Sequence, residues 1–196
     1  LWSGARVLAH VTAATPGTSP ADEERRVEVH LIEDLGADVA PELPELAAAI
    51  AAAVLAEDAV IDGVISRQVG LSGVGASPIT EMRHRPALIR RDRTDLDVVP
   101  RGAAAEEDGT IDGLIALDLL RLDGVSLLDV PLLERKRLLE SVVQPGPLVR
   151  TSMHVRPPID TWIVTWKSLG LRGGILKAAN SRYVPSTVTD QWTVVT

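Results

Sequence analysis

The sequence predicts an α+β domain with antiparallel sheets. Strand-like and helix-like patterns follow one another as hairpin, helix, strand, strand, helix, helix, strand, strand, which is not the regular β-α-β alternation of a doubly wound sheet. The chain has 196 residues, 45% of them hydrophobic, enough to bury one core within a single domain spanning 1–196. No internal repeat and no Walker-type phosphate loop interrupts the pattern, since Gly70, Gly73 and Gly75 sit in a loop rather than ahead of a helix.

Gly4 to Val11 reads as a strand with Val7, Ala9 and Val11 on one face, and the Pro, Gly, Ser and Thr of Thr12 to Asp22 form a turn or loop. Arg26 to Leu31 alternates Val27, Val29 and Leu31 with Arg26, Glu28 and His30, a half-buried strand that completes a hairpin. Leu43-Pro44-Glu45-Leu46 opens a helix, because proline loses nothing in the first turn and Glu45 complements the positive end of the dipole. Leu46, Ile50 and Val54 give it one apolar face. Ala59 to Ser66 reads as a buried strand, 72–109 as an irregular charged insertion, and Leu114 to Leu122 as the next strand. A second helix starts at Asp129 and Pro131 and runs through Val143, with Leu132, Leu138, Leu139 and Val142 at helical spacing. A third, Ile159 to Leu169, stops before Gly170. Its Trp162 and Trp166 read as core or interface residues rather than a base-stacking platform. Strands Gly174 to Ala178 and Gln191 to Val195 flank a closing loop that holds Tyr183 and Pro185.

Composition narrows the function classes. No apolar run approaches the roughly 18 residues of a membrane span, and there is no secretory leader. The absence of cysteine removes disulfides and thiolate metal sites, and together these features predict a soluble, cytoplasmic protein. An arginine-rich, lysine-poor, alanine-rich composition fits a bacterial source of high GC content. The chain lacks an initiating methionine, so an excerpt of a longer protein is expected. A formal net charge of −7 argues against a strong grip on DNA. Arg83, Arg85, Arg90, Arg91 and Arg93 do cluster locally, and that run reads first as a solvated loop and second as a nucleic-acid contact.

Six short motifs follow one another along the chain. Leu1-Trp2-Ser3-Gly4-Ala5-Arg6 is similar to the opening Lys-x-Asp-Gly-x-Arg, with Gly4 and Arg6 kept. Leu31 to Val39, followed by Leu43-Pro44-Glu45-Leu46, resembles a second segment whose arginine is here Asp34. Ile61-Asp62-Gly63-Val64 resembles Asp-Gly-Glu, with Val64 for the glutamate. Leu117-Asp118-Leu119-Leu120-Arg121-Leu122-Asp123-Gly124 resembles Phe-Asp-Leu-Leu-x-Leu-Asp-Gly, and Pro131 to Leu139 continues the match. Arg172-Gly173-Gly174-Ile175-Leu176-Lys177 occupies Glu-Gly-x-x-x-Lys, and Trp192 to Thr196 occupies Trp-x-Lys-x-Lys with Val194 and Thr196 for the lysines.

In this order the motifs resemble those of the ATP-dependent DNA ligases, and the resemblance implies a nucleotidyltransferase (adenylation) domain of ATP-grasp-like type, with two antiparallel sheets and flanking helices around a cleft. It implies ATP and Mg2+ as family cofactors, DNA nick sealing as family activity, and a lysine that attacks the α-phosphate of ATP. That lysine position is Leu1, which has no lone pair to offer. Ser3, Val64, Leu117, Arg172, Val194 and Thr196 likewise replace family residues, Leu117 at the adenine-stacking position and Val64 and Arg172 at carboxylates that would hold ribose and magnesium. Arg6 and Lys177 are the nucleotide-binding remnants. Asp62 and Asp118 read as closing turns or capping strands, and Lys136 as solvated on its helix. No catalytic residue, metal site or bound cofactor is therefore expected, and a degenerate copy serving as a scaffold or regulatory module beside an active ligase or repair protein is the leading reading. The alternatives are a weakly active ligase working through Lys177, and a nucleic-acid-binding module built on the Arg83 to Arg93 run. Weak DNA binding and no membrane contact are expected.

Overall fold

In β1 (Ala5–Ala13) alternation does what the sequence leads one to expect: Ala5, Val7, Ala9 and Val11 are buried and Arg6 and Thr12 exposed. β2 (Val27–Glu33) runs antiparallel to it, with Ala9 opposite Leu31 and Val11 opposite Val29. This computed structural model describes residues 4–13, 27–69, 110–152, 154–155, 158–160, 162–164, 174–185, 187 and 190–195. The insertion expected over 72–109, with its arginine cluster, lies outside them.

The larger sheet has the order β2-β1-β3-β4-β5, where β3 is Asp58–Val69, β4 is Thr110–Leu122 and β5 is Val125–Ser126. A sixth strand, β6 (Val149–Thr151), pairs with β4. All pairings are antiparallel except β4 with β6, so this sheet is mixed where an antiparallel one was expected. The reason is the helix between them: α2 (Leu132–Val142) carries the chain back along the sheet, and a crossover of that kind returns a strand in the same direction.

α1 (Pro44–Ala53) covers one face of the sheet. Pro44 opens it, Glu45 lies in its first turn, and Leu46, Ile50 and Ala53 point inward. They join Val7, Val11, Leu31, Ile61, Ile65 and Leu114 in a continuous core. Residues of the opposite face alternate with these, among them Arg6 and its cross-strand partner Val64.

The second sheet is an antiparallel ribbon, as expected, of β7 (Gly174–Lys177) and β8 (Trp192–Val195). Of the third expected helix, Asp160 and Trp162 to Val164 are helical, Ile159 lies just ahead of them with its carbonyl accepting the Ile163 N–H at 2.9 Å, and the rest lies outside the described residues. Trp162 is 38% exposed, so of its two readings, core or interface residue, the core one does not hold. Among the described residues no helix is long and apolar enough to cross a membrane.

Candidate functional site

The site forms where β3 and β4 place two carboxylates side by side. Asp62 and Asp118 are cross-strand partners, at a point where the register of the two strands shifts. Both side chains are buried, at 1% and 0% exposure. Like charges held opposite one another repel, so each requires a cation. Arg6 supplies the first, with Nε donating to Asp62 Oδ1 at 2.8 Å and Nη2 to Oδ2 at 2.5 Å. Arg135, itself fully buried, supplies the second, with Nε donating to Asp118 Oδ1 at 2.9 Å and Nη2 to Oδ2 at 2.8 Å. Two-point pairing of this kind suits the planar guanidinium and fixes both partners. Arg135 also donates to the carbonyls of Val130 and Ser181, and Asp118 Oδ1 accepts the Leu119 N–H.

These positions correct the sequence reading of Asp62 and Asp118. They cap no turn or strand end; they sit mid-strand in an ion-pair network. Lys136 is also corrected: it is buried rather than solvated, and its Nζ donates to Ser152 Oγ at 2.7 Å. Burial lowers its pKa from 10.5 to about 8, against the pull of Asp118. Lys177, on the last residue of β7, reaches the same place. Burial lowers its pKa too, with Asp118 and Asp62 opposing and Arg6 and Arg135 assisting. Its Nζ lies 3.7 Å from the centroid of the Trp192 ring, in cation-π contact.

The loop after β7 closes the cluster. Its backbone docks on the start of α2, where the Leu132 and Leu133 N–H groups donate to Ser181 and Ala179 carbonyls at 2.9 and 3.0 Å. That satisfies donors which the first turn of a helix cannot pair internally. Tyr183 then lies between the two ion pairs, its hydroxyl 3.4 Å from Asp62 Oδ2 and 3.5 Å from Arg6 Nη2. Its ring stands edge-on to Trp192 at 6.5 Å and 5.9 Å from the Arg135 guanidinium. Burial, reinforced by the Asp62 charge, pushes the phenol pKa up.

The structure thus brings together Arg6 and Lys177, and puts Val64 on β3 opposite Arg6 and Leu117 beside Asp118 on β4. Val194 is 60% exposed on β8. Leu1, Ser3, Arg172, Thr196 and the arginines 83, 85, 90, 91 and 93 lie outside the described residues. Arg135, Lys136 and Tyr183 were missed as site residues. A signal for the first two exists: with Leu132 and Leu139 they occupy the i, i+3, i+4, i+7 stripe that a helix turns inward, so their charges demanded partners.

Gly4 and Gly63 make the close approach possible. Gly4 has a φ of +152°, and a Cβ there would lie 2.1 Å from the Ile65 carbonyl oxygen. At Gly63 a Cβ would meet Leu114 Cδ1 at 2.7 Å.

No protein-family model matches the chain, and no curated protein does. Solved structures do. The crystal structure of the ligase domain of LigD from M. tuberculosis superposes with a TM-score of 0.60 at 24% identity, over 99% of this chain and 51% of that one. This chain has an ATP-dependent DNA ligase-like fold. A mycobacterial DNA ligase D complexed with ATP and MES gives the same TM-score at 22% identity, over 99% and 52%. The chain spans about half the length of these ligase structures. At such identities the likeness establishes the fold alone, and the chemistry of the site rests on its own side chains.

Proposed function

We propose that this chain is a ligase-type nucleotidyltransferase domain that has lost adenylyl transfer and works in the cytoplasm as a non-catalytic scaffold or regulatory module, beside an active ligase or another repair protein. The observation that carries the reading is the fate of the buried carboxylates. Both oxygens of Asp62 and both of Asp118 accept hydrogen bonds from an arginine. A magnesium ion would have to compete with a guanidinium at each, a half-exposed one on Asp62 and a fully buried one on Asp118. These two carboxylates are therefore not free to stand in for the magnesium-binding carboxylates that the resemblance places at Val64 and Arg172. Val64 adds no oxygen where the resembling motif carries glutamate, and it packs at 8% exposure. Leu1 replaces the nucleophile, and Val194 replaces a cation that would stabilise developing phosphate charge.

A second reading, weak nucleotidyl transfer through Lys177, is favoured by one observation. Its amine is desolvated and lowered in pKa, as a nucleophilic lysine requires. One assay separates the two. The chain is incubated with labelled ATP and magnesium, denatured, and weighed intact by mass spectrometry. No AMP adduct is expected; an adduct mapping to Lys177 replaces the first reading with the second.

A further inference from the structure

The face of the sheet that carries Arg6 and Asp62 continues into a pair of imidazoles. His10 and Arg6 lie on the same face of β1, on either side of Leu8, whose partner on β3 is Asp62. The direct partner of His10 across the β1–β2 ladder is His30. Residues opposite one another in an antiparallel pair hold their Cβ atoms about 4.5–5.5 Å apart, so two imidazoles there can each bring a nitrogen to one ion at the roughly 2.0–2.1 Å of a metal–nitrogen bond. The two rings already act on each other: burial and then His30 lower the His10 pKa, with Arg121 assisting and Asp58 and Asp38 opposing.

One ring is oriented in advance. His30 Nδ1 lies 2.7 Å from Asp38 Oδ2. A carboxylate only accepts, so Nδ1 carries the proton and Nε2 is the lone-pair nitrogen of the neutral ring. Asp38 is fixed in turn, its Oδ1 accepting the Leu31 and Ala40 N–H groups at 2.9 and 3.0 Å. A carboxylate behind an imidazole is the usual support of a metal-ligating histidine, because it sets the tautomer and the direction of the other nitrogen. Ions can reach the pair from water, since the His30 side chain is 57% exposed and His10 half-buried. The Arg121 charge is taken up by Asp58, with Nε and Oδ2 2.8 Å apart.

We propose that His10 and His30 bind a divalent transition-metal ion of the Zn2+ class through one nitrogen each, with Asp38 holding His30 in place. Imidazole suits Zn2+ and Ni2+, whereas Mg2+ demands oxygen ligands. Among the described residues no three His, Asp or Glu side chains group around a metal position, so the protein supplies two ligands and water completes the shell. The ion ties β1 to β2, and its binding stabilises the folded chain. This site is separate from the Asp62 and Asp118 ion pairs and stands whether or not the chain transfers adenylate.

The test is titration calorimetry of the chain at neutral pH with Zn2+, Ni2+ and Mg2+, alongside melting temperatures with and without Zn2+. Zn2+ and Ni2+ should bind and Mg2+ should not. Asp38→Asn keeps an oxygen for the two backbone donors but offers the His30 ring no acceptor; it should weaken Zn2+ binding about tenfold, the scale on which a site depends on the carboxylate behind its histidine. His10→Asn and His30→Asn should each weaken it by at least as much and abolish the rise in melting temperature that Zn2+ gives the parent. His154→Asn, at a histidine paired with Glu140, should leave Zn2+ binding unchanged. Melting temperatures without metal check folding, and if His30→Asn does not fold, His10→Asn and Asp38→Asn carry the test. No Zn2+ binding, Mg2+ binding as tight as Zn2+, Zn2+ binding unchanged in His10→Asn or a folded His30→Asn, or an equal loss in His154→Asn would each overturn the proposal.

Discussion

Substituting Arg135 by methionine tests the ion-pair network at its most buried point. Arg135 and Asp118 are both fully buried, joined by hydrogen bonds of 2.9 and 2.8 Å. Arg135→Met keeps much of the side chain's volume but leaves the Asp118 carboxylate with one backbone donor, the Leu119 N–H. It also strips a donor from the Val130 and Ser181 carbonyls, loosening the loop that carries Tyr183. Breaking a buried pair from one side costs about 3–5 kcal/mol, a large share of the roughly 5–15 kcal/mol that holds a domain together. Urea denaturation followed by tryptophan fluorescence reads this as a fall in midpoint at unchanged slope. The double variant Arg135→Met/Asp118→Leu should regain most of the loss, because no uncompensated charge remains. A single variant that loses less than about 1 kcal/mol, the scale of an exposed ion pair, would refute the network as described.

Two further outcomes follow from the same geometry. Lys136 has a folded-state pKa near 8 against 10.5 unfolded, so between those values the folded chain has released a proton that the unfolded chain keeps, and stability rises with pH. Lys136→Met should flatten that rise and stabilise the chain at pH 7 by up to about 3 kcal/mol, less the loss of Ser152's partner; parallel pH-dependent urea titrations check it, and an unchanged difference between the two proteins from pH 7 to 10 would count against it. Above pH 10 the raised Tyr183 pKa works the other way in both proteins. Gly63→Ala forces a Cβ to within 2.7 Å of Leu114 and 3.1 Å of the Ile115 carbonyl, and should cost about 1–3 kcal/mol. Gly146→Ala, with nothing within 4 Å, should stay within about 0.5 kcal/mol of the parent in the same denaturation experiment.

Most of the sheet was legible because its signals are local. Alternation located β1, β2 and the closing ribbon, and Pro44 with Leu46 and Ile50 located α1. β6 was not legible: Val149–Thr151 is too short for alternation to show, and its parallel pairing is set by the crossover rather than by its own residues. The site was half legible. Arg6 and Lys177 were placed by motif position, whereas the Asp62 and Asp118 pairing depends on strand register, which no single segment encodes. Arg135 and Lys136 were overlooked because charge was taken to mean solvent, even on the inward stripe of α2.

The residues kept and lost relative to the ligase pattern sort by whether a partner would be orphaned. Replacing Asp62 strands Arg6, and replacing Asp118 strands Arg135 in the core, so each carboxylate is held in place whether or not it touches a metal. Both pairs also support Tyr183, and through it Trp192 and the seat of Lys177. Val194 has no such tie: it is 60% exposed on a two-stranded ribbon, where valine or lysine is accommodated at little cost in stability. Val64 and Leu117 lie at positions where an aliphatic side chain satisfies packing without a polar partner. Aliphatic residues at those positions and charged ones at Arg6, Asp62, Asp118 and Lys177 are therefore compatible outcomes of one physical constraint. Such a network is retained or lost as a unit, because removing any one member leaves an unpaired charge behind.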